Sequence, residues 1–242
     1  MMQRTHLDPQ QPWNPPGGRG SRLPEHDACG VGFVATLSGR PDPALVRLGL
    51  EALHRLRHRG GVAADGITGD GAGVMTEIPR RLLVRELAAR GVRLPAGDLF
   101  AVAACFFPAE EEAAARAQAL LAECCREQGL DLVAWRPVPV DPGVLGPIAA
   151  ASRPSIWHAV IVPGPRLNPG LPFDRALYLA RRAFERRAAA FVPGGEPGGP
   201  AGAAGHGDQG DPAAAAGQGI PAGRARPYIA SMSSRTVVYK GL

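Results

Sequence analysis

The stretch from Pro193 to Pro227 is nearly all Gly, Ala and Pro with scattered polar residues, and it limits where a core can form. Such a segment cannot bury enough apolar surface to order its backbone. It is expected to be a flexible surface insert, at about 193–227, with no chemistry of its own. Residues 1–28 form a polar leader rich in Pro, Gly and Gln that could not contribute to a core either. The folding unit is therefore expected over residues 29–242 apart from the insert. At 242 residues with 45% apolar side chains, the chain is long enough for one sizeable core.

Short apolar runs alternate with amphipathic stretches. A strand is expected to begin at Cys29, with Phe33 and Val34 anchored in the interior. Leu45, Gly49, Ala52, Leu53 and Leu56 recur at helical spacing, and Gly60 and Gly61 close that helix. Residues 74–78 read as a strand, and 79–90 as a helix with Leu82, Leu83 and Leu87 inward, stopping at Gly91. The run 99–107 reads as a buried strand, and Pro108 with Glu110, Glu111 and Glu112 opens the next helix with acids where the helix dipole favours them. That helix is expected to end at Gly129. Strands are expected over 132–140 and 155–162, and a helix over 172–190 with Ala176, Leu177, Ala180 and Phe184 on one side. Two short strands should flank Ser233, Ser234, Arg235 and Thr236. Local pattern alone supports α/β or α+β.

The net charge of +5 comes from arginines spread along helices with acids between them, and Lys240 is the only lysine. No basic cluster interleaved with aromatics occurs, so the charge reads as solvated helix faces and no nucleic-acid partner is expected. The first residues have no apolar core of a signal peptide, and nothing approaches the ~18 consecutive apolar residues of a membrane span, so a cytoplasmic protein is expected. Cys29, Cys105, Cys124 and Cys125 form no C-x-x-C pair, and no His lies at metal-ligand spacing from them. Disulfides and zinc are not expected, and Cys105 and Cys124 read as core packing residues. His54 and His58 lie four apart, but no Glu follows the first as in H-E-x-x-H. The Gly-rich segment 65–73 is followed by a strand where a phosphate loop needs a helix, so a tight turn is the better reading.

Cys29 sits in Glu25-His26-Asp27-Ala28-Cys29-Gly30-Val31-Gly32-Phe33-Val34, just ahead of an apolar run. A cysteine freed at a chain terminus carries its own base, because an α-amino group with a pKa of about 7.7 to 8 can take the thiol proton. Gly30 and Gly32 leave the backbone room for a substrate near the sulfur. A lone cysteine on a strand is also commonly an inert small hydrophobe.

This stretch, followed by Leu56-Arg57-His58-Arg59-Gly60 and by Thr68-Gly69-Asp70-Gly71-Ala72-Gly73, resembles the start of the glutamate synthase large-subunit family. The block Tyr228-Ile229-Ala230-Ser231-Met232-Ser233-Ser234-Arg235-Thr236-Val237-Val238-Tyr239-Lys240-Gly241 resembles a second block of the same family, in the right order. The resemblance implies an α+β chain with the four-layer αββα fold of N-terminal-nucleophile hydrolases, incomplete at the C-terminus. It implies that residues 1–28 are a propeptide, that Cys29 is the nucleophile, and that Arg235 holds the α-carboxylate of L-glutamine through a bidentate pair. It gives Arg59, Gly60 and Asp70 a supporting place beside the nucleophile, although Arg59 and Asp70 could equally serve in a structural ion pair.

The activity so implied is hydrolysis of glutamine through a cysteinyl thioester, the ammonia aminating 2-oxoglutarate in the complete enzyme. That enzyme would use FMN and an iron-sulfur cluster, further domains of the large subunit and a small reductase subunit, none of which this chain supplies. The Asn-Gly oxyanion donors and the Asp for the substrate amine would lie downstream of Leu242, so a fragment with little activity alone is expected. A noncatalytic remnant docking on a partner subunit, and a class II amidotransferase with a different acceptor, are the alternatives.

Overall fold

The computed structural model describes residues 30–94, 99–189 and 226–241. Cys29, the 1–28 leader and the insert up to residue 225 lie outside the described residues.

A four-stranded antiparallel sheet forms the middle of the molecule. Its strands are β2 (Ala101–Phe107), β3 (Leu130–Pro137), β4 (Ser155–Pro163) and β5 (Tyr228–Ser233), in the order β3-β4-β2-β5. β1 (Ala72–Glu77) and β6 (Thr236–Gly241) pair separately as a two-stranded antiparallel ribbon. Every residue of β2 is buried, because alternate side chains enter two different cores. Ala101, Ala103, Cys105 and Phe107 pack with Leu121, Phe173, Leu177 and Phe184 of α3 (Glu111–Glu127) and α5 (Leu171–Ala188). Val102 and Ala104 face the other way, onto Leu83 and Leu87 of α2 (Arg80–Ala89) and Val237 of β6. Helices, sheet and ribbon thus stack in that order, with α2 and α1 (Pro43–Arg55) on the ribbon's side. The class is α+β.

Local signals explain the element ends. Asp42 caps α1 by accepting from the Ala44 amide at 2.8 Å, with Pro43 at the first helical position. Glu111 and Glu112 occupy the first turn of α3, which stops at Gly129, whose φ of 71° is a left-handed conformation open to glycine. Cys105, Cys124 and Cys125 are buried free thiols in the α3/α5 core, as their place on apolar elements predicts.

Three expectations need correction. The segment after Cys29 is not a strand: residues 30–36 have no regular structure, and Val31 and Phe33 are 96% and 94% exposed. No described strand lies alongside it, so its backbone has no ladder to join. The apolar face of α1 is present, but no α1 residue is buried. Leu82 is half-exposed although Leu83 and Leu87 are buried, because a helix turns by about 100° per residue and Leu82 falls off their line.

Candidate active site

Of the residues that the sequence singles out, those described sit at two ends of the β1–β6 ribbon. At one end, a single turn of 3-10 helix (Leu56–Arg59) follows α1 and leads into Gly60. Gly30, the residue after Cys29, lies against Leu56, where an added Cβ would come within 3.1 Å of that side chain. The Asp70 carboxylate accepts from the Gly61 amide at 2.6 Å, and a Cβ on Gly61 would meet both of its oxygens at 3.2 Å. Gly60 and Asp70 are thus adjacent. The partner that the described residues show for Asp70 is the Gly61 backbone amide.

The loop between them is closed on itself. Val62 bridges Gly69, and the Ala63 amide donates to the Thr68 carbonyl at 2.7 Å. The Asp65 carboxylate accepts from the Thr68 hydroxyl at 2.6 Å and from the Thr68 and Ile67 amides at 2.8 and 3.1 Å. It also accepts from the Ile148 amide at 3.3 Å, while the Thr68 hydroxyl accepts from Ala149 at 3.3 Å. Asp65 and Thr68 therefore cap α4 (Pro147–Ala151), a helix whose own N-cap is Gly146 with no side chain. The Thr68 hydroxyl, the first cause, and the Thr68 amide hold the Asp65 carboxyl at about 2, well below its ordinary 3.8.

At the other end of the ribbon, Arg235 occupies the turn between β5 and β6. The Ser233 hydroxyl accepts from the Arg235 and Thr236 amides at 3.0 and 3.3 Å. The Arg235 carbonyl accepts from the Ile78 amide at 3.0 Å, and the Ser234 carbonyl accepts from the Arg80 guanidinium at 2.5 Å. The Ser234 hydroxyl donates to Asp174 in the first turn of α5 at 2.5 Å. The turn is pinned from three directions, while the Arg235 side chain is exposed with no partner among the described residues. In the ribbon register Ala72 faces Gly241 and Glu77 faces Thr236. Five steps at about 3.4 Å each put roughly 17 Å between the Asp70 end and the Arg235 end. One glutamine does not bridge that span, so Arg235 is not brought together with Gly60 and Asp70.

Under the ribbon runs a buried polar chain that sequence reading missed. Arg136 Nε of β3 donates to Glu86 Oε2 of α2 at 2.5 Å, and Arg136 Nη1 lies 3.5 Å from His158 Nδ1 of β4. The His158 ring meets Tyr239 of β6 edge-on at 5.6 Å. Burial, and then the Arg136 charge, push His158 down to about 4, so its imidazole is neutral at pH 7. The His58 ring nitrogen Nδ1 lies 2.9 Å from the Arg55 carbonyl, and among the described residues no three metal-binding side chains converge.

Comparison with known proteins decides the family. The family described as "Glutamine amidotransferases class-II" matches residues 29–194. The chain belongs to the class-II glutamine amidotransferases. Its amidotransferase sequence is 36% identical over 232 residues, 96% of the chain, to "Ferredoxin-dependent glutamate synthase 2" of Synechocystis sp.. It is 31% identical over 90% of the chain to "Glutamate synthase [NADPH] large chain" of Bacillus subtilis, and 37% identical over 67% of the chain to the protein of that name from Azospirillum brasilense. This amidotransferase chain spans only 11 to 12% of the length of those relatives. No helix among the described residues is long and apolar enough to cross a membrane.

Proposed function

We propose that this chain is the glutaminase part of a glutamate synthase and that Cys29 is its nucleophile. The single observation that carries the reading is that the match to the amidotransferase family begins at Cys29 itself. The other thiols support it from the opposite side. Cys105, Cys124 and Cys125 are all buried, and burial raises each thiol, Cys125 to about 12, so none of them supplies a thiolate near neutral pH.

In the proposed reaction the Cys29 α-amine takes the thiol proton and the thiolate attacks the side-chain carbonyl carbon of L-glutamine. The tetrahedral intermediate collapses with cleavage of the C–N bond, and the nitrogen leaves as ammonia with the proton the amine held. Water then attacks the thioester, the C–S bond breaks, glutamate is released, and the proton from water restores the thiol. The exposed guanidinium of Arg235 takes the substrate α-carboxylate, for which its fixed backbone and a side chain with no partner among the described residues suit it. That role requires the Cys29 sulfur to reach the Arg235 end of the ribbon. Arg59, Gly60 and Asp70 take supporting places beside the nucleophile in this reading, which the bond from the Gly61 amide to Asp70 supports.

The ammonia is used in the complete enzyme to aminate 2-oxoglutarate, with further large-subunit domains, a small reductase subunit, FMN and an iron-sulfur cluster contributed by polypeptide other than this chain. A cytoplasmic setting goes with that role.

The experiment is labelling of the processed chain by a glutamine-analogue diazoketone in a full-length context. One adduct at Cys29 is expected, with both adduct and ammonia release abolished in Cys29→Ala. An adduct at Cys105 would remove the mechanism.

A further inference from the structure

A cleft of about 480 Å³ lies beyond the candidate active site, at the end of the ribbon where β6 finishes at Gly241. Phe106 and Tyr228 line it, stacked on each other with ring centroids 4.9 Å apart and planes 8° from parallel. Val140, Val144, Leu145 and Ile156 make apolar walls. The wall at 140–146 is tethered, because the Asp65 and Thr68 side chains hold the amides of Ile148 and Ala149 just after it.

Three cations line the same cleft while remaining exposed, which places Arg153, Arg226 and Lys240 at its mouth. None of the three has an ion pair among the described residues, and Lys240 Nζ lies 5.3 Å from the centre of the Tyr228 ring. The single acid in the lining, Asp141, is engaged by the Gly143 amide at 3.0 Å and leaves the mouth net positive.

We propose that this cleft binds a small apolar molecule carrying one anionic head, the apolar part lying among Val140, Val144, Leu145 and Ile156 and the head meeting Arg153 and Arg226. An apolar, largely pre-formed concavity with a few charged groups at its edge is the usual form of a small-molecule site. The charge balance selects an anion over a neutral or cationic occupant.

The test is calorimetric titration of the 242-residue chain with 2-naphthoate, and with 2-naphthamide as its neutral isostere. Saturable binding of the naphthoate is expected, weakened about fivefold by the double change Arg153→Gln and Arg226→Gln, as two exposed ion pairs predict. Arg182→Gln on α5, away from the cleft, should leave it unchanged. In the unmodified chain added sodium chloride should weaken the naphthoate and not the naphthamide. Equal affinity for both probes would mean a merely apolar surface that another polypeptide covers, and would overturn the proposal. So would absence of saturation, or naphthoate binding that the arginine changes and salt do not alter.

Discussion

The Asp65 carboxylate accepts a hydrogen bond from the Ile148 amide across 83 residues of sequence. That contact joins the turn beside Gly60 and Asp70 to α4, whose own N-cap Gly146 offers no side chain. It also explains why position 146 is glycine: a Cβ there would lie 2.5 Å from the Thr68 hydroxyl and 2.6 Å from Asp65 Oδ2.

Gly146→Ala should therefore destabilise the fold by about 1 to 3 kcal/mol, because the clamp must open to admit the methyl group. Asp65→Asn should lower the urea midpoint in the same direction. Since the folded Asp65 pKa of about 2 lies below its ordinary 3.8, its contribution is present above pH 4 and is lost as pH falls through 2. An unchanged midpoint in both variants would show that the clamp contributes nothing.

His158 sets a second pH dependence, at higher pH. Its folded pKa is pushed from 6.5 down to about 4, so between those values the unfolded chain binds the proton more readily. Stability should fall as pH falls from about 6.5 to 4, by about 3 kcal/mol in all, and His158→Gln should flatten that stretch of the curve. Denaturant melts at stepped pH measure it.

Arg136 is 6% exposed, and its removal leaves the Glu86 carboxylate without its partner. Arg136→Met should lower the denaturant midpoint, and adding Glu86→Leu should restore part of the loss. Because the Arg136 charge also disfavours protonated His158, Arg136→Met should raise the His158 titration midpoint in an NMR pH series.

Gly164 donates its amide to the Gly129 carbonyl at 2.9 Å, and a Cβ on it would sit 2.5 Å from that oxygen. Backbone cannot swing aside as a side chain can. Gly164→Ala should cost at least about 1 to 3 kcal/mol in a denaturant melt and loosen the junction that joins β3 to β4.

The two phenylalanines Phe33 and Phe173 should behave oppositely. Phe173 is fully buried between α5 and the sheet, whereas Phe33 is 94% exposed. Phe173→Ala should cost about 3 to 5 kcal/mol and Phe33→Ala less than about 0.5 kcal/mol in the same melt. A large loss for Phe33→Ala would place the segment after Cys29 back inside a sheet.

Local sequence determined the six strands and helices α2, α3 and α5 because their signals are local. The all-apolar run 101–107, the acids opening α3, the glycine that stops it, and the 3.6-residue spacing of Ala176, Leu177, Ala180 and Phe184 each act within a few residues. Local motifs also pointed to the family that the match over residues 29–194 shows. Only the tertiary structure decided which faces are covered. The apolar stripe of α1 and the run after Cys29 look like core in sequence, yet burial depends on a partner surface that a local pattern does not encode. The same limit hid the Asp65 cap on α4 and the Glu86–Arg136–His158 chain, since each joins residues distant in sequence that only the packed sheet and ribbon bring within hydrogen-bond reach. It also fixed the β1–β6 register, which sets Arg235 and Asp70 at opposite ends of one ribbon.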